Sequence, residues 1–153
     1  MGVPDWDNYF LKMCFAIAER SKDPSTTVGC VIVGPAHEIR STGYNDFPRG
    51  VKNLPSRWER PEKYDWVVHA EENAIFNAAR HGASLEGCTL YLPYDTTPCH
   101  KCCRAIVQAG ITEVVYGSVP FPGKGKGTHY DVENKARAIL DEGGVSVRQA
   151  VLT

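Results

Sequence analysis

Two short motifs constrain this chain more than any other feature: His69-Ala70-Glu71 and Pro98-Cys99-His100-Lys101-Cys102. One histidine and two cysteines can supply three ligands to a zinc ion. Three protein ligands with one open position are typical of a catalytic zinc, whereas structural zinc sites use four. Glu71 is then available as an acid and base beside the metal. The chain is therefore expected to fold so that two motifs distant in sequence meet.

Each motif is predicted to open a helix. A helix that begins at Pro98 would place Cys99 and Cys102, three residues apart, on one face. Proline suits a first helical position because it has no amide hydrogen to leave unpaired, and the positive end of the helix favours ionised thiols. His69 is predicted to open the second helix. Glu71, two positions further on, would point in another direction and approach the metal from the side.

Simpler interpretations exist for each motif alone. A Cys-x-x-Cys pair in an intracellular chain can be a redox pair, and His-x-Glu is common by chance. A structural zinc site would need a fourth protein ligand. On a helix, however, His100 faces away from the two cysteines, and Cys103 is rotated by about 100° from Cys102, which predicts a small buried core residue. The two motifs together, each at a helix start, favour a catalytic zinc.

Length and charge restrict the class of protein. The 153 residues fit a single domain, residues 1–153, and the formal net charge of −1 gives no overall attraction for nucleic acid polymers or anionic membranes. No apolar run reaches bilayer length, and the first residues do not resemble a signal peptide, which predicts a cytoplasmic protein. Cysteines are expected to be reduced there, and Cys14, Cys30 and Cys88 are predicted to be buried thiols.

Apolar periodicity predicts elements in the order α-β-β-α-β-α-β-α-β. Helices are predicted at 6–20 (started by Asp5), 68–80, 98–110 and 131–142 (capped by Asp131), and strands at 28–33, 38–44, 88–92, 113–116 and 145–151. A hairpin followed by alternating strands and helices predicts an α/β fold, a three-layer α/β/α sandwich with a five-stranded mixed sheet.

Residues 45–66 form a long segment with three prolines and several basic residues that ends next to His69. Loops of this length in a compact domain are usually functional or disordered. The segment is therefore interpreted as a lid over the active site. For most of its lysines and arginines, a solvated surface position is the simpler interpretation.

Over nearly its whole length the chain resembles the cytidine and deoxycytidylate deaminase superfamily, and its H-x-E and P-C-x-x-C motifs are the signature of zinc nucleobase deaminases. An early segment and the long lid favour the branch that acts on a nucleotide monophosphate. The resemblance rests on Ser21-Lys22-Asp23-Pro24-Ser25-Thr26-Thr27-Val28-Gly29, Gly43-Tyr44-Asn45, Lys63-Tyr64, residues 69–75, the Pro98 motif and residues 105–116.

The resemblance implies a hydrolase that converts dCMP to dUMP and ammonia in pyrimidine deoxynucleotide synthesis. It implies His69, Cys99 and Cys102 as zinc ligands. It also implies Glu71 as the proton shuttle between a zinc-activated water, N3 of the pyrimidine and the leaving amino group.

For the substrate, the resemblance implies that Asn45 hydrogen-bonds the sugar and that the backbone amide of Ala70 holds the base carbonyl. Taken alone, Asn45 also suits a turn after a strand. Arg49 is the candidate for the 5′-phosphate because a guanidinium fits phosphate oxygens bidentately. Lys124 and Lys126, in a Gly-rich stretch, form a second candidate.

Many members of the superfamily are hexamers that dCTP activates and dTTP inhibits, with the nucleotide bound through Mg²⁺ near the lid. The resemblance therefore extends to a homo-oligomer with these effectors. Here the loop of residues 45–51 lacks the Gly-Met-Pro motif that is usual in the family. The Gly- and Lys-rich insertion at 122–128 is also unusual for the family.

Other functions stay open at this point. The chain could deaminate C5-substituted dCMP, a free nucleoside or tRNA adenosine. The long lid argues against the last two, and the absence of net positive charge argues further against tRNA. From a different class, it could be a zinc-stabilised binding module without catalysis. A carboxylate beside an open coordination position argues against that module.

Overall fold

The computed structural model describes residues 2–122 and 130–153, with residues 130–133 described by their backbone. Five strands form one sheet in the order β2-β1-β3-β4-β5. Strand β1 is antiparallel to β2 and β3, whereas β3, β4 and β5 run parallel, which confirms the predicted mixed sheet. The strands are β1 Gly29–Val33, β2 Ile39–Tyr44, β3 Thr89–Tyr94, β4 Glu113–Val119 and β5 Ser146–Gln149.

Helices cover both faces of this sheet. Helix α1 packs on one face, and α3, α4 and α5 lie on the other. Successive strand residues point to opposite faces, so Val31 belongs to the core under α1 and Ile32 to the core under α3. The predicted three-layer sandwich is confirmed. The helices are α1 Trp6–Ala18, α2 Lys63–Trp66, α3 Ala70–His81, α4 His100–Gln108 and α5 Tyr130–Glu142.

The two helices that carry the motifs begin later than predicted. Helix α4 begins at His100, so Pro98 precedes it and Cys99 is its N-cap residue, with φ −66° and ψ 162°. Helix α3 begins at Ala70, and His69 is its N-cap, with φ −69° and ψ 157°. The predicted helix start at Pro98 is wrong, but the sulfurs of Cys99 and Cys102 still lie on the same side, 3.5 Å apart. An N-cap residue has extended dihedral angles and lies at the helix boundary.

Other boundaries differ by a few residues. Strands β3 and β4 continue past their predicted ends, and β5 is shorter than predicted. Helix α5 begins at Tyr130 and therefore includes Asp131, its predicted cap, as the second residue. The predicted phosphate candidates Lys124 and Lys126 lie outside the described residues.

The segment predicted as a lid contains a 3₁₀ helix, Pro55–Trp58, and the one-turn helix α2. Aromatic contacts order this segment. Phe47 stacks on Trp58 with ring centroids 4.1 Å apart, and the Arg57 guanidinium lies 3.8 Å from the centre of the Trp66 ring. None of the helices in the described part of the chain has the length and apolar character needed to cross a membrane.

Candidate active site and metal centre

Three ligand atoms converge where α3 and α4 begin. Nδ1 of His69 lies 3.3 Å from Sγ of Cys99 and 3.4 Å from Sγ of Cys102, and the two sulfurs are 3.5 Å apart. A tetrahedral zinc with Zn–S near 2.3 Å and Zn–N near 2.0–2.1 Å separates such atoms by about 3.6–3.8 Å. The three residues therefore fit zinc. Among the described residues, no other group of three or more His, Cys, Asp or Glu side chains lies close enough together to share a metal ion.

Backbone pairing with the end of β2 positions His69. The preceding residue, Val68, exchanges two backbone hydrogen bonds with Asp46, of 2.8 and 3.2 Å. The side chain of Asn73, one turn into α3, donates to the carbonyl oxygen of Tyr44 over 2.7 Å. The first metal ligand is thus fixed to the sheet from both sides.

A glycine allows α3 to lie this close to β2. A Cβ atom at Gly43 would lie 2.3 Å from the amide nitrogen of Ala74 and 2.4 Å from the carbonyl oxygen of Ala70. Any other residue would push the first turn of α3 away from the sheet. Gly43 therefore sets the depth at which His69 and Glu71 are presented.

The cysteines outside the cluster behave as predicted. Cys103 is fully buried, and its thiol donates to the carbonyl oxygen of Pro98 over 3.4 Å. Cys14, Cys30 and Cys88 are also free, buried thiols, as predicted. His100 is not part of the metal cluster, and its Nδ1 is buried without a hydrogen-bond partner in the described part of the chain.

The three ligands share their protons unevenly. A hydrogen bond from the Cys102 thiol, together with His69, lowers the pKa of Cys99 to about 3 despite its burial. The hydrogen bond to Cys99 in turn raises the pKa of His69 to about 9. The same sulfur contact, together with burial, raises the pKa of Cys102. Binding of a divalent metal therefore displaces protons from His69 and Cys102.

Glu71 lies beside these ligands as the second residue of α3. Its side chain is buried, with 6% of the residue exposed. Burial raises the pKa of its carboxyl group, and interaction with His69 opposes that shift. Glu72, which was not predicted as a site residue, also reaches the cluster and accepts a 3.7 Å hydrogen bond from the Cys102 thiol.

Residues 4–118 match the family model of the cytidine and deoxycytidylate deaminase zinc-binding region, a span that contains every residue of this site. The chain belongs to the cytidine and deoxycytidylate deaminase family. It is 35% identical to deoxycytidylate deaminase of Pongo abelii, in an alignment that covers 96% of this chain and 80% of the relative. The identity to the Mus musculus deoxycytidylate deaminase is 36%, with 95% and 79% covered.

The fold of this deaminase is also similar to that of a solved structure. The dCMP deaminase of cyanophage S-TIM5, crystallised with dCMP and dUMP, superimposes with a TM-score of 0.71 at 23% identity. The superposition covers 98% of this chain and all of the phage chain. Such similarity supports the shared three-layer fold.

The side chain of Asn45, predicted as a sugar ligand of this deaminase, is buried and bonded within the protein. Its Nδ2 donates to Oδ2 of Asp23 over 3.1 Å and to the carbonyl oxygen of Thr26 over 2.8 Å. Its Oδ1 accepts from the amide of Val28 over 2.8 Å. An amide oxygen has two lone pairs, so one acceptor position is left for a ligand.

Arg49 contacts α3 through Asn77, whose side chain also donates to the carbonyl oxygen of Thr42 in β2. Its Nη2 donates to Oδ1 of Asn77 over 2.6 Å. Asn77 is seven residues beyond Ala70, about 10 Å along the helix axis. Arg49 is therefore not one of the residues of the metal cluster, and its contact with a phosphate stays a prediction.

A buried ion pair near the site was not predicted from the sequence. Nζ of Lys63, in the lid helix α2, lies 2.6 Å from Oδ2 of Asp23, and both residues are 6% exposed. Both residues belong to the segments that carry the family resemblance, but lysines of a proline-rich loop are ordinarily solvated. Nothing in the local pattern distinguishes Lys63 from its exposed neighbours.

Proposed function

We propose that this deaminase hydrolyses dCMP to dUMP and ammonia. The observation that carries the proposal is the convergence of His69, Cys99 and Cys102 beside the buried carboxylate of Glu71. The choice of nucleotide is supported by the relatives, since deoxycytidylate deaminases align with almost the entire chain.

In the proposed mechanism His69, Cys99 and Cys102 hold zinc. Zinc, when bound, acts as a Lewis acid and lowers the pKa of a water molecule toward about 7. Glu71 takes a proton from this water and delivers it to N3 of the pyrimidine as the water oxygen attacks C4. It then transfers the second proton of the water to the amino group, which leaves as ammonia, so the carboxylate returns to its starting state.

The environment of Glu71 suits both halves of this cycle. Burial raises the pKa of the carboxyl group toward the working pH, where accepting and donating a proton differ least in free energy. The positive charge of zinc, when bound, would favour the ionised form of this carboxyl group. A carboxylate in open solvent would be the weaker base.

Two groups are proposed to hold the substrate. Ala70 provides the first amide of α3, which has no acceptor within the helix and is proposed to bind the base carbonyl. The remaining lone pair of Asn45 Oδ1 is proposed to accept a hydrogen bond from a sugar hydroxyl, because both hydrogens of its amide group already bond the protein.

The phosphate ligand is the least constrained part of the proposal. Arg49 remains the proposed ligand, because Asn77 accepts only one of its five N–H donors. Lys22 is an additional candidate. Lys22 and Pro24 line a cavity of about 240 Å³, together with three residues of the lid, Asn53, Pro55 and Trp58.

Regulation and assembly are proposed from the family resemblance: a homo-oligomer, a hexamer in many relatives, with dCTP and dTTP bound through Mg²⁺ as effectors. An exposed aromatic residue on the lid, Tyr64 at 51% exposure, supports a subunit interface there. Six free cysteines support a reducing compartment, and a cytoplasmic protein is proposed accordingly.

Ammonia release from zinc-loaded protein tests the substrate. The assay compares dCMP, deoxycytidine, CMP and 5-methyl-dCMP, each with and without dCTP and Mg²⁺. Faster turnover of dCMP than of deoxycytidine is expected. A protein that binds zinc but turns over none of the four would refute the proposed substrate class.

Glu71→Gln tests the mechanism in the same assay. Loss of the proton shuttle is expected to lower kcat by roughly 10²–10⁴-fold, while the zinc content measured by metal analysis stays at the wild-type value. Full activity in this variant would show that another group moves the proton.

A further inference from the structure

The carboxylate of Asp23 is the centre of a buried polar network beside the active site. Its Oδ1 closes a turn by accepting from the backbone amides of Ser25 and Thr26, over 2.8 and 3.2 Å, and from the Ser25 hydroxyl over 3.0 Å. Its Oδ2 accepts from Nζ of Lys63 over 2.6 Å and from Nδ2 of Asn45 over 3.1 Å. Each oxygen therefore serves a different part of the fold.

The Oδ2 side of the network joins two segments that lead to the active site. Asn45 directly precedes Asp46, which pairs with Val68, the residue before His69. Lys63 opens α2, whose end is closed by the 3.0 Å hydrogen bond from the amide of Val67 to the carbonyl oxygen of Lys63. One carboxylate oxygen thus bonds the two segments that lead into the Asp46–Val68 bridge, next to the proposed metal ligand His69.

Burial makes this network dependent on charge. The side chain of Asp23 is 1% exposed and that of Lys63 8%, so water does not replace a lost partner. The 3.2 Å bond from Nζ of Lys63 to the Ser25 hydroxyl is a second contact for the ammonium group. A buried charge without its partner is unfavourable, so the lid helix and the turn depend on each other.

We infer that Asp23 is a positioning residue, which fixes the side-chain amide of Asn45 and the lid helix α2 relative to His69 for nucleotide binding. The inference rests on the proposed function, because Asn45 acts there as the sugar ligand. Asp23 itself does not touch the reacting atoms; it orients Asn45 so that Oδ1 faces the substrate and both amide hydrogens face the protein.

Three variants separate the parts of the network. Asp23→Asn keeps the oxygen that closes the turn but turns an amide donor toward Asn45 and Lys63, so it disturbs both. Lys63→Met removes the contact to the lid alone. Ser25→Ala is the mild variant, because it removes three hydrogen bonds of the Ser25 hydroxyl, with Asp23, Arg60 and Lys63, and leaves the ion pair in place.

The matched control is Arg148→Met. Arg148 forms an equally short ion pair with Asp7, of 2.7 and 3.0 Å, near the opposite end of the sheet. This pair is placed away from the lid and the metal cluster. Arg148→Met therefore controls for the loss of an ion pair as such, and urea denaturation of every variant shows separately how much stability each has lost.

Steady-state kinetics with dCMP are expected to separate KM from kcat. Asp23→Asn should raise KM at least about tenfold, with a smaller rise in Lys63→Met and a rise of a few fold in Ser25→Ala, while kcat changes less than about threefold. Arg148→Met should leave both constants at their wild-type values. Zinc content is expected to be the same in all variants.

Amide hydrogen exchange supplies a readout that needs no turnover. The amides of Val67 and Val68 should exchange at least about tenfold faster in Asp23→Asn and Lys63→Met, and at the wild-type rate in Arg148→Met. If the wild-type protein does not act on dCMP, the proposed function fails, and exchange still decides whether Asp23 positions the lid. Wild-type exchange in both variants, or faster exchange with an unchanged KM, would overturn the inference.

Discussion

The two ends of the sheet carry charges of similar geometry in different surroundings. At the metal end, Lys63 and Asp23 are 2.6 Å apart and their side chains are 8% and 1% exposed. At the other end, Arg148 and Asp7 are 2.7 Å apart, but their side chains are 46% and 27% exposed. Distance alone would rank the two pairs as equals.

The two ion pairs differ in how deeply they are buried. Water screens the Arg148 pair and can replace either partner, so the pair adds little to stability. At the metal end the charges of Lys63 and Asp23 are buried, between the segments that lead to His69. The comparison indicates that this chain concentrates its unfavourable, buried charges where the proposed chemistry needs them.

The largest expected effect is at the metal cluster. Cys102→Ser replaces a thiolate ligand, so zinc content should fall and turnover should drop by more than the ~10–100-fold that loss of an outer-shell partner costs. Metal analysis and ammonia release measure the two effects. Cys103→Ser is the control, because this buried neighbour bonds Pro98 and should keep its zinc. Equal zinc contents in the two variants would contradict the assigned ligand set.

The next effect compares the two ion pairs directly by stability. Lys63→Met leaves a buried carboxylate without its cation and should lower the free energy of unfolding by about 3–5 kcal/mol. Arg148→Met breaks an exposed pair and should lower it by no more than about 1 kcal/mol. Urea denaturation of the zinc-loaded proteins measures both. Similar losses in the two variants would show that burial does not distinguish the ends.

Two glycines extend the comparison to the two faces of the sheet. Gly43→Ala places a Cβ 2.3 Å from the amide nitrogen of Ala74 in α3, and Gly29→Ala places one 2.0 Å from the carbonyl oxygen of Cys14 in α1. Each substitution should cost about 1–3 kcal/mol of stability through overpacking. Only Gly43→Ala should also weaken zinc affinity, because α3 carries His69.

Competitive titration of zinc against a chelator measures that affinity, and urea denaturation measures the stability. A weaker affinity in Gly29→Ala than in Gly43→Ala would show that the depth of α3 does not set the ligand geometry.

The convergence of His69, Cys99 and Cys102 could be predicted from the sequence because the proposed chemistry is contained in two short motifs. Two motifs contain all three ligands and Glu71, and each motif lies at a helix start. The helix boundaries were less accurate, because a residue just before a helix and one just inside it have the same neighbours in sequence. The structure places Cys99 and His69 just before their helices, as N-cap residues with extended backbones. Their proposed ligand atoms still converge, 3.3 Å apart.

The surroundings of the site were harder to predict, since they depend on contacts between distant segments. The lysine of a polar loop is ordinarily exposed, yet Lys63 is buried because Asp23, forty positions earlier in the sequence, lies beneath it. Arg49 illustrates the same dependence: its guanidinium bonds Asn77 of α3, a contact between distant segments that the sequence did not predict, and its role as a phosphate ligand stays a prediction.

The smallest expected effect is the acid dependence of stability. Burial raises the pKa of the Asp23 carboxyl group, but the hydrogen bonds from Lys63 and from the amides of Ser25 and Thr26 outweigh it, so the pKa lies below its ordinary value. A lowered folded-state pKa means that the contribution of Asp23 to stability is complete above the unfolded pKa of about 3.9 and is lost as the pH falls through the folded value.

The pKa of Asp7 is lowered as well, chiefly by its hydrogen bond from Arg148. Urea denaturation from about pH 5 to about pH 2 should therefore show a steeper loss of stability in the wild type than in Asp23→Asn, whereas Asp7→Asn should differ less from the wild type. Zinc release is common to all three proteins and cancels in the differences. If Asp7→Asn removed more of the acid dependence than Asp23→Asn, the exposed pair would be the stronger one, and the contrast between the two ends of the sheet would be reversed.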